Sequence, residues 1–506
     1  MLRLFRAPLR SLLSSSIRNE VTHDGKIYAS PKDAIHDMKD GDYVAMGGFG
    51  IVGIPENGVL AMVERKLKHI HIVSNIAGIG DWGIGLLLTD LQVDSMNASY
   101  VGENPIFEKQ YLTGQIAFNM IPQGTLAERC RMAASGIAAE YVKAGVGTYV
   151  ETGGFATKWG KDGKSVIEIL QPKERRHFDR DYLLEKALDI DFSMIKCYQA
   201  DKKGNLRFRK TARNFNPDMA GAARVTMAEA ELIVDEIPAD QIHFPGCFVD
   251  RIYKSPKVSK KIERRKFRLP EGVNHKEHNT KKEEPKAKGR DVVKDVIATR
   301  AVQELKPGMY CNLGIGIPNL VANHIIGKVD ADLQSECGIV GIGPYPLEKD
   351  VDCDLINAGK ETISEAKGFS HNRSSDAFGM MRGLHLHMTM LGGLQVSQSG
   401  DLANWIIPGA KVKGIGGAMD LVSCGSKVVV TMEHMNGKEF KVLKECKIPL
   451  TGKGVVSTLI TEKAVFEFTK EGMVLTELGP DTNEEDVKRS TEAEYTVSPN
   501  LKKMEL

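Results

Sequence analysis

Glu336 is the residue of this chain whose type and setting best suit chemistry. It stands in Leu333-Gln334-Ser335-Glu336-Cys337-Gly338-Ile339-Val340-Gly341-Ile342-Gly343-Pro344, one carboxylate among small residues and glycines. A run that could be a strand precedes it. Glycine lets a backbone approach a ligand closely and take dihedrals that helix-forming sequence avoids. A carboxylate delivered by a strand into a glycine-lined cleft can attack an activated acyl group and form a covalent intermediate. The same pattern also fits a loop glutamate that accepts hydrogen bonds from nearby backbone amides. Local sequence leaves both readings open.

Other chemistries find less support. The eight cysteines, Cys130, Cys197, Cys247, Cys311, Cys337, Cys353, Cys424 and Cys446, are scattered without a CxxC pair. That argues against a metal site of zinc spacing and against a dense disulfide framework, and leaves buried thiols in a reducing compartment as the expectation. Gly48-Phe49-Gly50-Ile51-Val52-Gly53 matches the dinucleotide-binding GxGxxG after an expected strand over residues 43–46. Its confirming context is missing, because Pro55 follows at once and Asn75 stands where a ribose-binding acid belongs.

The elements that must position Glu336 read as α/β. Residues 69–74 and 428–432 are expected strands, residues 125–141 and 483–490 expected helices, and residues 309–311 a strand leading to Asn312. Strands alternating with helices predict largely parallel sheets, with ligands beyond the carboxyl ends of the strands. At 506 residues the chain should form more than one domain. A helix, a glycine turn, a short apolar strand and a Gly-Ile-Pro loop occur around residues 33–57 and recur around 301–319, with Pro318 about 263 residues after Pro55. Two related α/β domains follow, and the paired loops are expected to wall one active site between them.

Residues 254–290 are dense in lysine and arginine and punctuated by Pro256, Pro270 and Pro285. Such a stretch cannot bury a core and reads as an exposed charged linker. The expected organisation is therefore 21–255, a linker over 256–290, and 291–506. Residues 1–20 carry Arg3, Arg6, Arg10 and Arg18, a serine tract and no acid before Glu20, the pattern of a mitochondrial presequence. The formal net charge of +2 argues against a chain-wide nucleic-acid surface, and no apolar run approaches the roughly 20 residues that span a bilayer.

Taken together the motifs resemble the family I CoA-transferases. In the first half the resemblance rests on Gly47-Gly48-Phe49-Gly50, Gly53-Ile54-Pro55-Glu56-Asn57, and residues 99–104, 122–129 and 211–216. In the second it rests on residues 312–318, Ser335-Glu336, Gly343-Pro344-Tyr345-Pro346, and residues 357–362, 400–405, 414–421 and 450–453. The resemblance implies that CoA moves from succinyl-CoA to a 3-oxo acid such as acetoacetate, as in ketone body catabolism, by a ping-pong cycle through a thioester on Glu336. It implies Gln123 and the Gly417 amide as oxyanion donors, and Asn75, Asn312 and Lys360 as residues that hold CoA or orient the glutamate. It further implies no cofactor beyond the CoA thioester substrate, no metal, a homodimer, no membrane insertion and the mitochondrial matrix. An acyl-CoA hydrolase and a catalytically weakened paralogue are the alternatives. The chain departs from the family where Asn usually follows the catalytic glutamate: Cys337 stands there, and a thiol is a weaker donor than an amide. It also departs at Ile76, Leu384 and His387.

Overall fold

The computed structural model describes residues 23–102, 104–270, 288–408 and 411–506. The expected presequence and the middle of the expected linker lie outside the described residues. The chain divides into two compact units, neither of them one continuous stretch. The first takes residues up to 142 with 153–261 and 372–375; the second takes 143–152, 262–371 and 376–506.

The first unit is built on a nine-stranded sheet. Its order runs Ile27–Tyr28, Arg251–Lys254, Ala223–Val234, Ile190–Asp201, Tyr43–Met46, Ile70–Ser74, Val93–Ala98, Ala117–Met120. Every neighbouring pair on that path is parallel; the added strand Leu206–Arg207 pairs antiparallel with Ile190–Asp201. Parallel strands buried on both faces favour continuous apolar runs, and Val44, Ala45, Met46, Ile72, Val73 and Met96 are all buried. The helix expected over 125–141 covers only Gln123–Ser135. Gly136 caps it in the left-handed conformation, and Ala139–Val142 turns out to be a strand in a small antiparallel sheet.

The second unit carries a ten-stranded mixed sheet. Asp332–Ser335, Tyr310–Leu313, Met388–Gly392, Lys427–Thr431 and Thr458–Ile460 form its parallel centre. Antiparallel partners flank this centre: Ile339–Ile342 and Glu365–His371 on one side, Ala464–Thr469 and Gly472–Leu478 on the other. Val428, Val430, Leu459, Phe466 and Leu475 lie in one apolar core with Phe378 and Met381 of the helix Ser374–Arg382. Helix Glu484–Ser490 starts one residue after the expected bound because Asn483 caps it, accepting from the Asp486 amide.

The recurrence read from the sequence is visible in both sheets. Tyr43–Met46 leads to helix Glu56–Glu64 and then to the neighbouring strand Ile70–Ser74. Tyr310–Leu313 leads to helix Ile317–His324 and then to the neighbouring strand Asp332–Ser335. The residue after the second strand is Asn75 in one unit and Glu336 in the other. Part of the expected linker is structured: Arg264 and Arg268 bridge to Glu361 and Leu347, so 262–270 belongs to the second unit.

Candidate active site

Glu336 sits in a three-residue hairpin loop between Asp332–Ser335 and Ile339–Ile342. Ser335 pairs with Ile339, and the Gly338 amide donates to the Ser335 carbonyl at 3.0 Å. Gly338 has φ 102°, which a side chain would strain, and this closes the loop. Glu336 therefore leaves the carboxyl end of a sheet strand on a turn with little freedom. It is nevertheless only 4% exposed. A glutamate capping surface amides would not be sealed from water. Its Oε2 is buried without a hydrogen-bond partner.

Burial raises the Glu336 carboxyl above the ordinary glutamate range, and backbone donation, the Lys360 charge, Asn312 and Ser335 oppose that rise. The carboxylate is thus both desolvated and held by named donors, a combination suited to a nucleophile. Asn312 was expected just after a strand over 309–311. The strand is Tyr310–Leu313, so Asn312 lies within it and is fully buried at the sheet centre. Thr389 Oγ1 donates to Asn312 Oδ1 at 3.0 Å, and Asn312 Nδ2 donates to Gln334 Oε1 at 2.8 Å. Asn312 Nδ2 also lies 3.5 Å from the Gln334 carbonyl, and the same amide is among the groups that favour the charged form of Glu336.

Lys360 occupies a tight turn between the bridged residues Ile356 and Thr362. Its backbone is left-handed, with φ 60°, and its amide donates to the Asn357 carbonyl at 3.0 Å. The Asn357 carboxamide braces the turn, since Glu361 N donates to its oxygen at 3.1 Å and its nitrogen donates to Glu361 Oε2 at 3.2 Å. Lys360 is buried at 6% exposure, unlike a solvated surface lysine. Cys337 couples this turn to the Glu336 loop. Its thiol donates to the Ile356 carbonyl at 3.3 Å and lies 3.4 Å from Ser335 Oγ. Burial pushes it up to about 12, so it stays a protonated donor at neutral pH.

Glu336, Asn312 and Lys360 are thus brought together in the second unit. Gly417 lies on another loop of that unit, buried, as the residue before helix Ala418–Ser423. Asn75 and Gln123 belong to the first unit, beyond the carboxyl ends of Ile70–Ser74 and Ala117–Met120, with Val93–Ala98 between those strands. Gln123 opens helix Gln123–Ser135 and its Nε2 is buried without a partner; so is Asn75 Oδ1. Sequence reasoning missed Gln334 and Thr389, which fix the Asn312 amide. Thr389 is a polar residue inside an otherwise apolar strand, whereas Gln334 lies in a largely polar one, and cross-strand register is needed to see which amide they meet.

The GxGxxG loop serves packing. A Cβ at Gly53 would meet the Ala212 carbonyl at 2.7 Å, and one at Gly47, just before the motif, would meet Asn216 Oδ1 at 1.9 Å. Asn214 and Asn216 donate to the Val52 and Gly53 carbonyls at 3.0 and 2.9 Å. The glycines admit a neighbouring segment of chain. All eight cysteines are free, and five are buried. Among the described residues, the one group spaced to hold a metal ion is Asp352, Cys353 and Asp354. Asp352 there accepts from the Asp354 amide at 2.9 Å. No described helix is long and apolar enough to cross a membrane.

The Coenzyme A transferase family model matches residues 28–255 and 295–490. The mitochondrial succinyl-CoA:3-ketoacid coenzyme A transferase 2B of Mus musculus is 47% identical over 484 residues, covering 94% of this chain and 91% of the mouse protein. The human mitochondrial transferase 2 is 45% identical over 486 residues, covering 95% and 92%. An acyl-CoA transferase from Escherichia coli O157:H7 shares the fold, with a TM-score of 0.75 at 19% identity over 96% of each chain. On the family match and on identities of this size over nearly the whole length, the chain belongs to the coenzyme A transferase family.

Proposed function

We propose that this protein moves CoA from succinyl-CoA to a 3-oxo acid such as acetoacetate, the CoA-transfer step of ketone body catabolism. The observation that carries the reading is Glu336: sealed from water, raised by burial, with Oε2 unpaired. Its carboxylate attacks the thioester carbonyl of succinyl-CoA, the C–S bond breaks, and a mixed anhydride and CoA thiolate result. The thiolate attacks the glutamyl carbonyl of the anhydride, releases succinate and leaves CoA as a thioester on Glu336. The carboxylate of the second acid attacks that thioester, freeing the thiolate again. The thiolate then attacks the acyl carbonyl of the new anhydride, giving the new acyl-CoA and restoring the Glu336 carboxylate. One thioester replaces another, so the activated bond is conserved through the cycle.

Asn312 orients the Glu336 carboxyl, and the Lys360 ammonium favours its ionised form against the rise that burial causes. The oxyanions are assigned to the Gln123 side chain, whose unpaired Nε2 supports that role, and to the Gly417 amide. Asn75, with an unpaired oxygen, suits an amide N–H of the CoA pantetheine arm. The names of the mouse and human relatives support a mitochondrial setting, and we place the protein in the matrix as a homodimer. A two-part organisation is supported by bacterial relatives in which two separate polypeptides match the two halves. In Bacillus subtilis one of these is 42% identical over 49% of this chain, and the other is 56% identical over 40%.

The test is a steady-state panel of carboxylic acids with succinyl-CoA as donor. The reading expects parallel double-reciprocal lines and acetoacetate among the best acceptors. CoA release that needs no acid and outpaces transfer would show a hydrolase instead.

A further inference from the structure

Three adjacent parallel strands of the first unit run into buried polar side chains. Ile70–Ser74 leads to Asn75, Val93–Ala98 to Ser99, and Ala117–Met120 to the helix that opens at Gln123. Asn75 Oδ1, Ser99 Oγ and Gln123 Nε2 are all sealed from solvent without a hydrogen-bond partner, in residues 2%, 0% and 3% exposed. Buried polar groups are normally paired, because an unpaired one forfeits its hydration. Three on one sheet edge point to partners that a ligand supplies.

The register puts Ser99 in the middle of this row. Its amide donates to the Asn75 carbonyl, and on its other side the Ile121 amide donates to the Ala98 carbonyl, both at 3.1 Å. The three atoms differ in chemistry. Gln123 Nε2 and the Ser99 hydroxyl can donate, while Asn75 Oδ1 can only accept. Neighbouring strands lie roughly 4.8 Å apart. Donors carried just beyond two adjacent strands suit an acid with two oxygen functions a few bonds apart. A 3-oxo acid and a four-carbon dicarboxylic acid both meet that description, and a plain monocarboxylic acid does not.

We infer that Ser99 determines acid specificity: its hydroxyl donates to the second oxygen function of the acid, the 3-oxo group or the distal carboxylate. Gln123 serves the carbonyl that reacts. The inference rests on the CoA-transfer reading above. A site built to hydrogen-bond a substrate group discriminates against analogues that lack it.

The experiment compares the full-length wild type with Ser99→Ala and with Ser99→Cys, which keeps the volume and weakens the donor. Acetoacetate and butyrate are the acceptors and succinyl-CoA the donor. In a ping-pong cycle, acceptor kcat/KM reports only the half-reaction with that acid. Wild type should prefer acetoacetate. Both variants should lose roughly tenfold in acetoacetate kcat/KM, keep butyrate kcat/KM within about twofold, and still form the Glu336–CoA thioester by mass spectrometry. An equal fall for both acids, no change in either, or a wild type that prefers butyrate would overturn the role of Ser99. If neither variant folds, the wild-type preference decides. A wild type that turns over without a Glu336 thioester overturns the transfer reading instead.

Discussion

Of the positions expected to depart from the family's pattern, Cys337 is the one beside Glu336, and its surroundings say what the change does. The thiol is fully buried, stays protonated, and already donates to the Ile356 carbonyl. That bond links the Glu336 loop to the turn that carries Lys360, although a thiol makes a weaker one than an amide. Cys337→Asn is therefore expected to change the transfer rate by less than about threefold, whereas Cys337→Ala should cost roughly 1 kcal/mol of stability. Steady-state transfer and thermal unfolding of both variants check this. A gain of tenfold or more in Cys337→Asn would mark the natural site as attenuated. At this scale the sequence was only partly legible. Glu336 stood out through its glycines, and Asn312 was found but placed one residue outside its strand. Lys360 carries no local sign of burial, because a lysine in a polar turn reads as solvated. Ser99 and Thr389 become visible only when neighbouring strands are laid side by side.

The element that positions Glu336, the proposed nucleophile, is the hairpin between Asp332–Ser335 and Ile339–Ile342. Its loop has room for three residues and depends on Gly338 at φ 102°. Gly338→Ala should lower stability by about 1–3 kcal/mol, the usual cost of forcing a side chain into such a conformation. It should also reduce kcat more than any change in Tm explains, since Glu336 would be displaced from Asn312 and Lys360. Circular dichroism melting and kcat measured well below the melting temperature separate the two effects. The supporting turn is braced in turn by what looked like linker. The Arg264 carbonyl accepts from the Thr362 amide, and the Lys266 amide donates to Thr362 Oγ1 at 2.9 Å. Composition alone could not reveal this, because basic residues on an extended segment keep their side chains in water while their backbone pairs. Helix Gln123–Ser135 was over-extended for a related reason. A glycine within a helical pattern is often tolerated, and only the left-handed cap at Gly136 shows that this one stops it.

Across the whole molecule, each unit must be stable for its site residues to be held. In the first unit a buried charge cluster ties four segments together. Lys196 Nζ lies 2.7 Å from Glu229 Oε1, 3.1 Å from Glu56 Oε2 and 2.9 Å from Ser255 Oγ. The Asn57 backbone and side chain donate to Glu229 as well. Burial pushes Glu56 up to about 7, against the pull of Lys196. A carboxyl raised on folding favours the folded state at low pH and loses that advantage as pH climbs through the folded value. Glu56→Gln removes the titration while Lys196 keeps Glu229. Relative to wild type, the variant should therefore gain stability between about pH 4.5 and 7 and level off above, by roughly 1–3 kcal/mol. Thermal unfolding of both proteins across that pH range is the check, and a difference independent of pH would contradict it. The α/β class and the internal recurrence were legible at this scale, since strand and helix periodicity repeat within each unit. The exchange of residues 143–152 and 372–375 between the units was not, because it depends on tertiary contact alone.

In the proposed cycle Glu336 carries CoA covalently. Wild-type protein incubated with succinyl-CoA and no second acid, then treated with borohydride or hydroxylamine, digested and analysed by mass spectrometry, tests it most directly. Modification of Glu336 alone is expected, as the reduced alcohol or the hydroxamate, with loss of transfer activity in proportion. An active enzyme whose Glu336 stays unmodified through this treatment would contradict it.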